Sequence, residues 1–129
     1  MTTTLLAVNG TLMRGLELNK NMTNAGGVFV REDHTDAHYR LWSINDCHPG
    51  MIRVQNGGVC VALELWQLPL SSFAELLSNE PAGLSIGKVK LQDGSEVLGV
   101  LAEPWLVEGQ KEITELGSWR QYTGHHHIA

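Results

Sequence analysis

Short apolar runs separated by glycines dominate this chain, and within most of them apolar residues alternate or follow one another directly. That spacing is the strand period, not the helical one, and it predicts strands over 4–8, 27–31, 38–45, 51–55, 58–68, 86–91 and 96–103. Asn56-Gly57-Gly58 reads as a hairpin turn of the primed type between two of these strands, and Gln92-Asp93-Gly94-Ser95 reads as another. One segment has helical character. It starts near Ser71-Ser72, with Glu75 three residues after Ser72 as a capping box, presents Phe73, Leu76 and Leu77 on one face, and stops before Pro81.

Composition narrows the picture further. With 129 residues the chain is one domain's worth, assigned here to 1–123 with a short His-rich tail over 124–129, and it buries about two-thirds of its unfolded surface without staples. A formal net charge of -5 with only nine Lys and Arg gives no basic stripe for nucleic acid. No apolar run approaches the roughly 20 residues of a membrane span. Cys47 and Cys60 lack CxxC spacing and no signal peptide precedes them, so a reduced cytoplasmic protein is expected.

Chemistry is expected first where the apolar run Leu5-Leu6-Ala7-Val8 breaks at Asn9-Gly10-Thr11-Leu12. A turn of this type leaves several backbone N–H groups free to converge, and a concave set of amides holds an anion. Glu64 is the next candidate, because a lone carboxylate in the apolar stretch Val61-Ala62-Leu63-Glu64-Leu65-Trp66 is costly unless it is paired or faces a polar cavity. Burial would raise its pKa and suit it to acid/base work; the alternative is an ion pair with Arg40 or Arg53. Tyr39 and Arg40 alternate on a strand, so only one faces inward, and Tyr39 is taken as the inward one with its hydroxyl on a ligand. Asn9 and Asn19 offer amides to a substrate carbonyl. His34, Asp36, His38 and His48 crowd together, but the His34-x-x-x-His38 spacing converges only on a helix, so no metal site is expected. Among the tryptophans 42, 66, 105 and 119, core or rim positions are expected, with Trp105 a possible contact for a second copy.

The blocks Gly15-Leu16-Glu17-Leu18-Asn19, Tyr39-Arg40-Leu41-Trp42, Pro49-Gly50-Met51-Ile52-Arg53-Val54, Leu63-Glu64-Leu65-Trp66-Gln67-Leu68-Pro69 and Gly117-Ser118-Trp119-Arg120-Gln121-Tyr122, with shorter ones between, resemble in order the C-terminal domain of allophanate hydrolase. That domain belongs to the gamma-glutamylcyclotransferase-like fold group, whose Tyr-Gly-Ser/Thr-Leu loop is similar to residues 9–12 with Asn9 in place of the tyrosine. The resemblance implies an α+β fold, a small mixed β-barrel with one or two outer helices and a cavity at one end. It also implies that Leu76-Leu77-Ser78-Asn79-Glu80-Pro81 overlies the group's Leu-Asp-x-x-Glu-Gly pattern, making Glu80 the acid/base, with Leu77 and Pro81 departing from it. The implied activity is decarboxylation of an N-carboxycarbamate-like compound, with cyclotransfer on gamma-glutamyl amines as an alternative. A third reading is a non-catalytic partner of a separate amidase, since the amidase part of allophanate hydrolase is not in this sequence. A small carboxylate-containing substrate is the expected partner, with a homodimer or an amidase as possible protein partners. Neither the residues nor the resemblance call for a cofactor.

Overall fold

In the computed structural model, which describes residues 2–124, the chain forms two sheets and four short helices. The larger sheet contains β1 (Thr3–Val8), β2 (Val28–His34), β5 (Ala62–Pro69), β6 (Leu84–Lys90) and β7 (Glu96–Ala102), in the order β2-β5-β1-β7-β6. The smaller one contains β3 (Tyr39–Ile44), β4 (His48–Arg53) and the two-residue β8 (Lys111–Glu112), in the order β4-β3-β8. The helices are α1 (Asn19–Asn24), α2 (Phe73–Ser78), α3 (Pro104–Val107) and α4 (Trp119–Thr123). None is long and apolar enough to cross a membrane.

The most apolar run of the N-terminus lies at the centre of the larger sheet. β1 pairs antiparallel with β5, from Thr3 opposite Pro69 to Val8 opposite Glu64, and parallel with β7 through Leu6 and Ala7. A strand covered on both sides must be apolar on both faces, and Leu6, Ala7 and Val8 are all buried. Leu41, Met51, Leu65, Leu68, Val89 and Leu91 complete the main core, while Ile44, Ala102 and Leu106 form a smaller one beneath β3 and α3. The outer edges of the larger sheet meet at one isolated bridge, Thr35 opposite Leu91, so the strands form two sheets and not one continuous closed ladder. The domain is α+β, as expected.

Several local expectations need correction. Asn56-Gly57-Gly58 is not a hairpin turn: β4 pairs with β3, and the predicted strand 58–68 begins only at Ala62, after one isolated bridge from Val59 to Tyr39. The hairpin turn is Asn45-Asp46, both at positive φ (53° and 58°), the geometry that primed turns require and that Asn and Asp tolerate. The Asp93-Gly94 turn does form, with Gly94 at φ 91° between the antiparallel β6 and β7. The capping box at Ser72 does not, because its hydroxyl donates instead to the carbonyl oxygen of Ala25 at 2.7 Å. Four helices, not one or two, surround the sheets; α1, α3 and α4 are too short to show a helical period in the sequence. The histidines of the tail lie outside the described residues.

Candidate functional site

Where β1 ends at Val8, the chain turns into a loop in which the carbonyls of Gly10, Thr11 and Leu12 are taken by protein donors. Met13 N–H donates to the carbonyl oxygen of Gly10 (3.0 Å), Leu18 N–H to that of Thr11 (3.0 Å), and the Asn19 side-chain amide to that of Leu12 (2.9 Å). Asn19 is therefore a support for the loop. With the carbonyls committed, the N–H groups of Gly10, Thr11 and Leu12 are left over and donate to no acceptor among the described residues. Consecutive unsatisfied amides on a bent segment are an unmet demand for an anion or water.

These residues border a cavity of about 20 Å³, room for little more than one water as it stands. Glu80, carried on the turn between α2 and β6, lines the same cavity, as do His48, Pro49 and Leu84. Burial pushes the Glu80 carboxyl above its usual range, and that carboxyl makes no hydrogen bond or ion pair among the described residues. The contact that shapes the floor is between Gly10 and Pro49. A Cβ on residue 10 would lie 2.5 Å from Pro49 Cδ and 2.7 Å from its Cγ, so only glycine fits there. Asn9, buried at the cavity wall, donates its amide to the carbonyl oxygen of Val100 at 3.1 Å and lies against Met51 Sδ.

Two of the sequence-derived candidates sit elsewhere. Glu64 lines no part of this cavity, and its partners are neither Arg40 nor Arg53. Its Oε1 accepts from the Arg14 backbone N–H (2.9 Å) and Trp66 Nε1 (3.1 Å), and its Oε2 from Arg14 Nε (3.1 Å) and Arg120 Nη2 (3.0 Å). Burial alone would raise the pKa of this carboxyl, but the donors outweigh it and hold the group below its ordinary value. A carboxylate fixed in its charged form by donors on both oxygens is a structural ion, not a poised base. Tyr39 does face inward and is fully buried, yet its hydroxyl accepts from the Lys90 backbone N–H at 2.9 Å, with Arg53 Nη1 at 3.4 Å, and it does not reach the cavity. Arg40 points outward onto Glu112 in a two-pronged pair at 2.7 and 2.6 Å. Trp66 and Trp119 are core, and Trp105 is 55% exposed. Among the described residues no three His, Cys, Asp or Glu side chains gather in a metal-binding group.

His48, weighed in the sequence only as a metal ligand, and Pro49 were not expected at this cavity, because they reach it only through the β3–β4 hairpin. Arg14 and Arg120, as partners of Glu64, were equally out of reach. A buried carboxylate demands cations, but the sequence does not say which of its nine.

Comparisons with known proteins place the domain at two levels, fold and family. A mouse AIG2-like protein, 17% identical, superposes with a TM-score of 0.63 over 83% of this chain and 84% of its own, which shows a shared fold. The narrower relation is direct: residues 4–124 match the allophanate hydrolase C-terminal domain family, and the chain belongs to it. A uropathogenic E. coli-specific protein of known crystal structure is 80% identical, with a TM-score of 0.97 over 98% of this chain and 100% of that one. Kluyveromyces lactis allophanate hydrolase is 26% identical, with a TM-score of 0.91 over 97% of this chain but 22% of its own. The chain spans only 7% of the length of the urea amidolyase of Lachancea kluyveri, to which it is 28% identical over 124 residues.

Proposed function

We propose that this domain acts on a small carboxylated amide or ureido compound, with the amides of Gly10, Thr11 and Leu12 receiving one carboxylate and Glu80 moving the proton. The observation that supports this reading is the meeting, in one cavity, of three unpartnered amides and a half-buried carboxyl of raised pKa. Amides fixed in place before the ligand arrives stabilise charge without reorganising, and a carboxyl of raised pKa keeps its proton over a wider pH range.

Decarboxylation of an N-carboxycarbamate-like substrate uses both parts. As the bond between nitrogen and the departing carboxylate carbon breaks, carbon dioxide leaves and the electron pair stays on nitrogen. Neutral Glu80 supplies the proton that nitrogen then needs, while the remaining carboxylate stays on the loop amides. The relatives described as allophanate hydrolase and urea amidolyase favour this substrate class over a gamma-glutamyl amine. At about 20 Å³ the cavity must widen to admit such a ligand, and no hydrogen bond ties the turn carrying Glu80 to the loop.

Titration of the protein with malonate, biuret and gamma-glutamyl amines, followed by amide chemical shifts, tests the reading. Saturable binding of malonate at roughly millimolar to micromolar Kd is expected, with the shifts centred on residues 10–12. Thr11→Pro deletes one of the three amides and should abolish it. Binding of none of these compounds by the folded wild type would overturn the proposal.

A further inference from the structure

The loop that carries the free amides is held at both ends by one residue. The backbone of Glu64 pairs with Val8, where the loop leaves β1, and its side chain accepts the backbone N–H of Arg14, where the loop finishes. Arg120 of α4 arrives at the same point. Its Nη2 donates both to Glu64 Oε2 at 3.0 Å and to the carbonyl oxygen of Arg14 at 2.5 Å. Residue 14 is thus gripped at its N–H, at its carbonyl and, through Nε, at its side chain, while its guanidinium lies 3.5 Å over the Phe29 ring. Fixing both ends of a short segment removes most of its conformational freedom, and the aim of the amides between those ends follows.

We propose that Glu64 and Arg120 are positioning residues: by clamping Arg14 they set the conformation of residues 9–13 and hence the direction of the three amides. This rests on the reading of those amides as the anion site. Neither residue touches the cavity, so their effect passes through the loop. The clamp also makes the site depend on α4, so that a segment near the C-terminus orients a loop near the N-terminus.

Arg120→Met, compared with Val61→Ala as a control that loosens the core without removing any hydrogen bond of the clamp, separates positioning from general stability. In Arg120→Met the bonded amides of Met13 and Arg14 should exchange about tenfold faster or more relative to wild type, as a local opening, with the rest of the sheet unchanged. Malonate affinity should fall by about tenfold or more, the loss that one misaligned charge-assisted bond produces. Arg120→Lys, which keeps a charge but on a shorter side chain that must move to reach both Glu64 and the Arg14 carbonyl, should fall between, and it carries the test alone if Arg120→Met does not fold. Val61→Ala should lower Tm yet bind malonate as wild type does. Wild-type exchange at Met13 and Arg14 in the Arg120 variants, or equal loosening of these two amides in Val61→Ala, would overturn the clamp. If wild type binds no malonate, the anion reading fails, and the exchange data still decide whether the clamp holds the loop.

Discussion

Replacing Gly10 by alanine adds a single methyl group at the floor of the cavity, and its cost can be worked from the contact it makes. The new Cβ would stand 2.5 Å from Pro49 Cδ, whereas carbon atoms rest at about 3.5–4.0 Å, so the loop and the proline must separate by roughly 1 Å. Pro49 cannot swing away, because its ring is closed on its own backbone within β4. The loop moves instead. Overpacking of this kind costs about 1–3 kcal/mol, and Gly10→Ala should lower Tm by several degrees for a domain of this size. The second effect is on binding. A shift of about 1 Å takes an N–H···O bond out of range, and losing one such bond to a carboxylate, worth about 1.5–3 kcal/mol, weakens a ligand by roughly tenfold to a hundredfold. Thermal melts and malonate titrations of the same preparation read both quantities. Unchanged Tm together with unchanged affinity would refute the argument that this glycine exists for close approach, since its φ is not in the left-handed region.

Other changes separate structural from chemical roles. Glu80→Gln should reduce turnover by about 10²–10⁴ once a substrate is found, while stability at pH 7 stays equal or rises slightly. The sign follows from the raised folded-state pKa: the native protein binds this proton more tightly than the unfolded chain, so ionising Glu80 above its usual range opposes folding, and the amide removes that penalty. Glu64→Gln should behave oppositely. Its carboxyl is held below the ordinary 4.5, so its contribution is complete above that value and lost as pH falls through the lower folded-state pKa; urea melts from pH 6 to 3 should show a steeper acid loss in wild type than in the variant. At pH 7 that variant should be less stable by roughly 3 kcal/mol, because two cations lose a buried partner. Ser118→Ala removes the hydroxyl that accepts the Gln121 N–H at the start of α4, and a loss of about 1 kcal/mol in chemical denaturation is expected, accompanied by weaker malonate binding if α4 supports the loop through Arg120.

Seven strands were legible from the chain itself as short apolar runs bounded by turn residues, whereas β8, the two charged residues Lys111–Glu112, has no such run and was not expected. The central position of β1 follows from the same cause: Leu5-Leu6-Ala7-Val8 has no polar face to offer solvent. The loop at residues 9–12 was equally legible, since a run of that kind must stop, and it stops at Asn-Gly. What the sequence by itself could not supply was pairing between distant segments. It did not distinguish a β3–β4 hairpin turning at Asn45-Asp46 from one turning at Asn56-Gly57-Gly58, because both dipeptides tolerate positive φ and only the packing of β3 against β4 and β8 selects between them. Nor did it separate the two glutamates. Glu64 and Glu80 each read as a carboxylate in an awkward place, and their pKa values move in opposite directions for a reason that is purely spatial. Arg14 and Arg120, fifty and fifty-six residues away, converge on Glu64, while Glu80 pairs with no cation among the described residues. Local pattern is set by which residues a segment must hide; the state of a buried charge is set by what the rest of the chain brings to it.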